Sequence, residues 1–265
     1  MRLLCLGDVV GQAGRSLLRP ALKRLVRRHQ PHLIVVNGEN AAAGAGLTPR
    51  TADEIFRAGV DVITSGNHIW SRREILPYLE TSERLLRPAN YPDPCPGGGV
   101  CVVEASDGTP VAVINLIGRL FMDAVDDPFR TADAILDEIR GRAPVVVVDF
   151  HAEATSEKVA LGWYLDGRVS AVVGTHTHVA TADERILPGG TAYMTDLGMS
   201  GPYDSVIGVN KEAAIARFLN QRPVRLSPAE SDVRVCGVLI EVSEADGKAL
   251  SIARIEERTA AGMDG

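Results

Sequence analysis

Two histidines two positions apart are the first residues in this chain whose spacing suggests chemistry. The segment VVGTHTHV, residues 172–179, puts His176 and His178 directly after an apolar, β-branched run. In an extended backbone, residues i and i+2 project to the same side, so both imidazoles would face one point. Imidazole is a common metal ligand, but short histidine motifs give many false matches, and such rings often only hydrogen-bond to nearby backbone. The pair alone leaves both interpretations open.

Apolar runs that alternate with helical patterns predict the elements that would carry such a site. The runs are 3–7, 33–37, 60–66, 111–116, 145–150 and 170–174. A helix is predicted over 15–29, where Leu18, Leu22 and Leu25 share one face. The alternation predicts an α/β protein with buried strands. Two alternating segments around the turn 246–247 predict an antiparallel hairpin, so the sheets are expected to be mixed.

Polar side chains follow five of these runs. In open α/β sheets, ligands bind beyond the carboxyl ends of the strands. Each polar residue taken singly is typical of a cap or a turn, but five strand ends that all carry oxygen or imidazole donors favour one convergent site. The candidates are Asp8, Glu39, Asn40, Asn67, His68, His151, His176 and His178.

The number and type of these donors indicate the kind of site. Two carboxylates, two amide oxygens and three imidazoles, with His68 left over, exceed one four-coordinate zinc and suit two metal ions that share a carboxylate. Mixed nitrogen and oxygen donors without thiolate favour Fe or Mn, with Zn as an alternative. Two divalent ions carry about four positive charges, of which Asp8, Glu39 and a bridging hydroxide would remove about three. The remaining charge favours an anionic substrate such as a phosphate ester.

His68 has a different predicted role. It is adjacent to Asn67, and neighbours in an extended segment point to opposite sides, so both residues need not be ligands. We interpret His68 as a candidate general acid that protonates the leaving oxygen. The alternative is a loop histidine held by ordinary hydrogen bonds.

Composition restricts the remaining function classes. The 265 residues are 45% hydrophobic with a formal net charge of -6, which argues against tight non-specific nucleic-acid binding. A basic stripe at Arg15, Arg19, Lys23 and Arg27 leaves RNA contact open but not favoured. We expect one domain over 1–265, with a tail at 258–265 that frays. A homo-oligomer stays open.

The N-terminus and the cysteines indicate the compartment. The opening MRLLCLGDVV has a short apolar run ended by a Gly-Asp pair, which is typical of a first buried strand and not of a signal peptide. No run approaches the roughly 18 apolar residues of a membrane span. The four cysteines form no zinc-type CxxC pair. These features predict a cytoplasmic protein with reduced thiols and no membrane contact.

Five ordered motifs give the chain a family resemblance. GD (7–8), NGEN (37–40), GNH (66–68), DFH (149–151) and GTHTH (174–178) resemble the calcineurin-like metallophosphoesterase superfamily. The segments 37–47, 151–158, 174–199 and 201–208 are similar to its YmdB-like branch, so the resemblance covers nearly the whole chain. It implies a metallophosphoesterase-type β-sandwich of two mixed sheets flanked by helices, with the site at the carboxyl ends of the strands.

The same resemblance implies an activity and a division of the ligands. It implies hydrolysis of phosphodiesters or phosphomonoesters, with 2',3'-cyclic nucleotides as a substrate class of the branch. Carried over by position, the ligands divide between two ions that share Glu39, and His68 is the acid. One ion would be held by Asp8, Glu39, Asn40 and His178. The other would be held by Glu39, Asn67, His151 and His176.

Two departures from the superfamily pattern leave questions open. Asp8 is followed by two valines where the superfamily has histidine two positions on, so Asn40 would replace that ligand. Ile69 and Trp70 follow GNH where a carboxylate often stands, which leaves open what tunes His68. In HAEATSEK, Glu153 and Glu157 could orient ligating imidazoles. Alternatively, Thr155 or Ser156 caps a helix there.

Two other functions compete with a phosphodiesterase. One is a regulatory or RNA-binding protein that keeps its metals for shape and has little turnover. The other is a hydrolase that acts on a carbon centre such as an amide, because dinuclear sites also serve aminopeptidases.

Overall fold

The computed structural model describes residues 1–258 as strands and helices in alternation. The strands are β1 (Arg2–Leu6), β2 (Asp8–Val9), β3 (Leu33–Asn37), β4 (Val62–Thr64), β5 (Val100–Glu104), β6 (Pro110–Ile117), β7 (Val145–His151), β8 (Ala171–Thr175), β9 (Arg185–Ile186), β10 (Ala192–Met194), β11 (Met199–Pro202), β12 (Val233–Val242) and β13 (Ala249–Arg258). The helices are α1 (Gly11–His29), α2 (Pro49–Arg57), α3 (Leu76–Thr81), α4 (Pro128–Glu138), α5 (Thr155–Leu165) and α6 (Lys211–Asn220). Two short 3-10 turns, Asn67–Ser71 and Arg73–Ile75, follow β4.

Within the described residues these strands form two mixed sheets. The first has the order β2-β11-β12-β1-β3-β4, with β13 paired to β12, and the second has the order β5-β6-β7-β8-β10-β9. In the first sheet β1 runs parallel to β3 and antiparallel to β12. In the second, β6, β7, β8 and β10 run parallel. The predicted pair of mixed sheets flanked by helices is confirmed.

The alternation of side chains along each strand builds three apolar layers. In β1, Leu3 and Cys5 lie with Val113 and Val147 between the two sheets. The other face of β1 packs beneath α1, for example through Leu4. The outer face of the second sheet packs against α4 and α5. Because side chains alternate with a period of two, a one-residue slip of β1 would bury its wrong face.

The parallel strands bring the candidate residues to one edge. The carboxyl ends of β1, β3 and β4 lie side by side in the first sheet, and those of β7 and β8 lie side by side in the second. Asp8 lies two residues after the end of β1 and begins β2, and His151 is the last residue of β7. The sheets are joined near this edge by Asn37, whose side-chain amide donates to Asp149 Oδ2 at 3.2 Å.

The structure tests several local predictions. The C-terminal hairpin is confirmed as β12 and β13, with Gly247 at φ 71 in the turn. Helix α1 begins at Gly11, four residues before the predicted start. In the basic stripe, Arg15 is not a free solvated cation, because it pairs with Glu54 at 2.8 Å and donates to the carbonyl of Ala41.

Two predictions concern the ends of the chain and the membrane. Of the tail expected to fray, Arg258 ends β13 and the other residues lie outside the described part. None of the helices in residues 1–258 has the length and apolar character to cross a membrane. The single domain stays a prediction.

Candidate metal centre

One group of candidate donors surrounds His151 Nε2. Glu39 Oε2 lies 3.2 Å from this nitrogen, Asn67 Oδ1 lies 3.1 Å from it and His176 Nδ1 lies 3.0 Å from it. The ligand atoms of Glu39, His151 and His176 all lie within 4.8 Å of one another. Neighbouring donors around one ion with bonds of about 2.1 Å are about 3 Å apart, so this spacing fits a shared ion.

A second group lies on the other side of the Glu39 carboxylate. Asn40 Nδ2 lies 3.1 Å from Glu39 Oε1 and 3.0 Å from His178 Nε2. His178 Nε2 lies 3.9 Å from Asp8 Oδ1. Glu39 therefore directs one carboxylate oxygen towards each group. For Asn40 to offer its carbonyl oxygen to an ion here, its side-chain amide must rotate by about 180°, since that oxygen now accepts from His68.

Asp8 gives a direct test of whether these residues suit a cation. Its Oδ2 accepts from the backbone N–H of His176 at 3.2 Å, but its Oδ1 is one of the few buried side-chain oxygen and nitrogen atoms in the described residues that have no hydrogen-bond partner. Burial raises the pKa of Asp8 to about 6, against the attraction of His178 and His151. A buried carboxylate oxygen without a donor is costly, and a metal ion would satisfy it.

Gly66 gives a second test. A Cβ at this position would lie 2.2 Å from both Glu39 Oε2 and His151 Nε2. Gly66 has an ordinary extended φ of -159, so the requirement for glycine comes from this close approach and not from backbone strain. The donor set thus fits a metal ion, and the chain leaves the space between donors open.

The ring of His151 is oriented by a buried chain of hydrogen bonds. Thr175 Oγ1 donates to Asp149 Oδ1 at 2.7 Å, and the same oxygen lies 3.0 Å from His151 Nδ1. Since the hydroxyl proton is used on Asp149, Thr175 accepts from Nδ1–H, and Nε2 of the neutral ring is left with a lone pair facing the other donors. Metal-ligating histidines are commonly fixed in this way through their second nitrogen.

The other two candidate histidines are fixed by different partners. His176 Nε2 lies 3.0 Å from Glu153 Oε2, which leaves Nδ1 towards His151. His178 Nδ1 donates to the carbonyl of Ile207 at 2.7 Å, which leaves Nε2 towards Asp8. Each imidazole therefore turns one nitrogen to the centre and uses the other as an anchor.

Charge at the centre is balanced between carboxylates and imidazoles. Burial disfavours ionisation of Glu39, but His151 and His68 outweigh it and hold the pKa of this carboxyl well below its usual range. Burial likewise disfavours a charged His151, but Glu39 outweighs it and raises the pKa of the ring to about 9. Glu39 and His151 therefore each stabilise the charged form of the other.

His68 is placed at the exposed side of the centre. Its Nδ1 lies 2.9 Å from Asn40 Oδ1 and 3.4 Å from Glu39 Oε1, and its side chain is 41% exposed. The hydrogen bond to Glu39 is the main cause that raises the pKa of His68. Glu39 therefore tunes the pKa of His68, and Asn40 contacts the same ring nitrogen.

Two local predictions and one alternative were wrong. Strand β8 ends at Thr175, and His176 and His178 have φ values of 101 and 65, so the pair is not extended. Asn67 and His68 lie in a 3-10 turn, not in an extended segment. The cap of α5 is Ala154, which makes no side-chain capping bond, so neither Thr155 nor Ser156 caps this helix.

The two glutamates of HAEATSEK have separate roles. Glu153 contacts His176 and fits the predicted orienting carboxylate. Glu157 instead accepts from the backbone N–H groups of Arg119 and Leu120 at 3.0 and 3.2 Å. It therefore holds the loop that follows β6 and does not orient a ligating imidazole.

Sequence reasoning missed the buried residues beneath the ligands. Asp149 accepts from Thr64, Asn37 and Thr175 and lies in the DFH motif, yet only its histidine was selected. Thr175 lies in GTHTH and was likewise passed over. A buried, charged residue inside an apolar strand was the signal that could have identified Asp149, because such a charge needs several donors.

Replacement of Thr175 by valine tests the orientation of His151. We expect the Thr175→Val variant to bind the ion at His151 about 10- to 100-fold more weakly, since the ring loses its anchor. The matched control is Thr64→Val, which also removes a hydroxyl donor to Asp149 but touches no imidazole. Both variants should lose about 1–3 kcal/mol of unfolding free energy, and only the first should lose metal affinity. Equal affinities in a chelator competition would contradict the orienting role.

Relatives that span nearly the whole chain occur among sequences and solved structures. The model of the family described as YmdB-like protein matches residues 4–255. A 2',3'-cyclic-nucleotide 2'-phosphodiesterase of Bacillus subtilis (strain 168) is 50% identical over 255 residues, which cover 96% of each chain. A hypothetical protein from Thermus thermophilus is 42% identical with a TM-score of 0.91, covering 98% of this chain and 100% of that chain. A novel phosphatase from Mycoplasma pneumoniae is 34% identical with a TM-score of 0.92, covering 97% and 93%.

Two of these relatives are named as enzymes that cleave phosphoric esters, and the whole-chain similarity places this protein in the class of phosphoric ester hydrolases. The chain belongs to the YmdB-like family. The resemblance to the YmdB-like branch, drawn from segments 37–47, 151–158, 174–199 and 201–208, is therefore confirmed.

Proposed function

We propose that the protein is a dinuclear metal-dependent phosphodiesterase that hydrolyses 2',3'-cyclic nucleotides. The convergence of two donor groups on the two oxygens of Glu39 is the observation that carries the proposal. The partnerless, buried Asp8 Oδ1 supports a cation beside it. The substrate class follows the name of the Bacillus subtilis relative.

We assign the ligands to the two ions in the division that the family resemblance implies, which the two donor groups support. Asp8, Glu39, Asn40 and His178 would hold one ion, and Glu39, Asn67, His151 and His176 would hold the other. Bound ions would supply electrostatic stabilisation of the phosphoryl oxygens and a lowered pKa for the attacking water. The mixture of imidazole, carboxylate and amide donors favours Fe or Mn, with Zn as the alternative.

The residues of the chain itself account for substrate orientation and proton transfer. Within residues 1–258, Nε2 of His68 has no hydrogen-bond partner. Its Nδ1 lies 2.9 Å from Asn40 Oδ1 and 3.4 Å from Glu39 Oε1, so Glu39 would keep the ring in place once the Asn40 amide rotates to bind an ion. Water adds to phosphorus, the bond from phosphorus to the 2'-oxygen breaks, and His68 donates its proton to that oxygen. The product is a nucleoside 3'-phosphate, and the ring regains its proton from solvent.

The decisive experiment combines metal content with turnover. Untagged protein is analysed for metals and assayed on 2',3'-cyclic AMP before chelation, after chelation, and after return of Mn or Fe. We expect about two ions per chain, loss of turnover on chelation and recovery on reloading. Because ligands that bind only the folded state stabilise it, the melting temperature should rise with added metal.

Other outcomes separate the alternatives. Two bound ions without turnover on any phosphate ester would contradict the phosphodiesterase and favour the regulatory or RNA-binding protein. Full turnover in rigorously chelated protein would contradict the metal dependence. About one ion per chain in fully active protein would contradict the dinuclear centre.

A further inference from the structure

The loop that carries His176 and His178 has an unusual backbone. Both residues have positive φ values, 101 and 65, which side chains other than glycine rarely adopt. Residues in such conformations persist only when their surroundings hold them there. Glu153 and Ile207 anchor the two rings, and further contacts hold the backbone of residues 175–177.

Lys158 of α5 makes the first of these contacts. Its Nζ donates to the carbonyl of Thr175 at 2.7 Å and to Asp196 Oδ2 at 2.6 Å. Both charged side chains of this ion pair are 1% exposed. The ammonium therefore holds the carbonyl group that directly precedes His176.

Asp196 makes the second set of contacts. Its Oδ2 also accepts from the backbone N–H of Thr177 at 3.1 Å, and its Oδ1 accepts from that of Gly198 at 2.9 Å. The segment around Asp196 lies directly against β8, because a Cβ on Gly174 would lie 1.8 Å from the carbonyl oxygen of Thr195. The pair thus holds the chain on both sides of His176 and one residue before His178.

We propose that Lys158 and Asp196 are positioning residues for the metal centre, whose buried ion pair fixes residues 175–177 so that both histidines face the ions. Their contacts in the loop are to backbone atoms, so they act through the chain and not as ligands. This inference rests on the metal centre proposed above. It assigns a role to two buried charges that the reaction itself does not use.

The test uses the way in which buried ion pairs respond to mutation. Loss of one partner leaves a buried charge unpaired, whereas replacement of both partners by neutral residues can preserve the fold. We expect Lys158→Met and Asp196→Asn alone to lower the melting temperature strongly. The double variant should regain most of that loss.

The double variant then separates positioning from stability. Neutral side chains cannot hold both the Thr175 carbonyl and the Thr177 amide, so Mn²⁺ affinity in a chelator competition should fall at least about tenfold. On 2',3'-cyclic AMP, kcat should fall by a similar factor at saturating metal while KM changes by less than about threefold. A purely structural role would move only the melting temperature.

A second ion pair provides the control. Arg24 Nε lies 2.8 Å from Glu257 Oε2, and this pair ties α1 to β13. The Arg24→Met, Glu257→Gln double variant should lose stability at most, with Mn²⁺ affinity and kcat unchanged.

The results for the double variant and the wild type decide whether Lys158 and Asp196 position the metal centre. Wild-type affinity and kcat in the folded Lys158, Asp196 double variant would overturn it, and so would unfolding of that variant, because the pair would then support the fold as a whole. If the wild type binds Mn²⁺ but hydrolyses no ester, the proposed function fails while the affinity comparison still decides the role of the pair. A wild type that binds no Mn²⁺ would overturn both.

Discussion

Replacement of His68 by glutamine is expected to lower kcat on 2',3'-cyclic AMP by about 10²- to 10⁴-fold, the range typical of a lost general acid. Glutamine can keep a hydrogen bond to Asn40, but its amide is not acidic and cannot protonate the leaving oxygen. Glu39 raises the pKa of His68, so the wild-type ring holds its proton to higher pH than a free histidine would. The ribose hydroxyl leaves poorly without that proton, so the loss should fall on kcat.

The choice of leaving group distinguishes acid catalysis from a structural role. Bis-(p-nitrophenyl) phosphate releases p-nitrophenolate, which leaves readily without a proton. The His68→Gln variant should therefore lose no more than about tenfold on this ester, and its metal content should match that of the wild type. An equal loss on both esters would show that His68 positions the site and is not its acid.

A second histidine supplies the matched control for this variant. His32 accepts from the backbone N–H of Arg2 at 2.9 Å and lies 3.7 Å from Asp107. Neither of these partners is a candidate ligand. The His32→Gln variant should therefore retain wild-type kcat on both esters.

Much of the candidate site could be predicted because strand ends are readable in the sequence. Apolar runs identify buried strands, and the carboxyl ends of parallel strands meet at one edge. The positions of Asp8, Glu39 and His151 follow from that rule alone, since each lies within two residues of such an end. No knowledge of long-range contacts was required.

The local backbone of the histidine loop could not be predicted in this way. His176 and His178 are held at positive φ by Lys158 and Asp196, which lie up to 20 positions away in the sequence. Local propensity favours an extended continuation of β8, and these distant contacts override it. The i, i+2 rule therefore selected two histidines that face the candidate centre, but for an incorrect geometric reason.

The groups that anchor the imidazoles could not be predicted from the sequence either. The segment 201–208 was selected only as a family signature, yet its contribution to the centre is the carbonyl of Ile207, which accepts from His178. A backbone carbonyl belongs to every residue, so no residue type identifies it. The same limit applies to the Thr175 carbonyl that Lys158 holds.

The Asp8→Asn variant is expected to lose metal and activity and yet to be more stable than the wild type when both are metal-free. In the wild type, the unpartnered Oδ1 is buried, and burial raises the pKa of Asp8 from 3.8 to about 6. Above pH 6 the ionised carboxylate therefore destabilises the metal-free fold. A neutral amide removes that charge, with a gain of about 1–3 kcal/mol in unfolding free energy.

The pH dependence gives this prediction a definite sign. A carboxyl group whose pKa is higher in the folded state costs no stability below about pH 4 and its full cost above about pH 6. Chelated wild type should thus lose stability across this interval relative to the chelated Asp8→Asn variant, and the two should converge at lower pH. Urea titrations of both proteins between pH 4 and 7.5 would measure the difference.

Added metal should reverse the order of stability, and this reversal is what ties Asp8 to a cation. At about 100 times its dissociation constant a ligand stabilises the folded state by about 2.7 kcal/mol. Wild type should gain that amount on loading, while the variant gains little because it lacks a carboxylate ligand, and its turnover should fall at least about 10³-fold. If the chelated variant is instead the less stable protein, the Asp8 carboxylate is satisfied without a cation. The unpartnered Oδ1 would then not support a metal centre, because a carboxylate that does not destabilise the metal-free fold needs no cation to stabilise it.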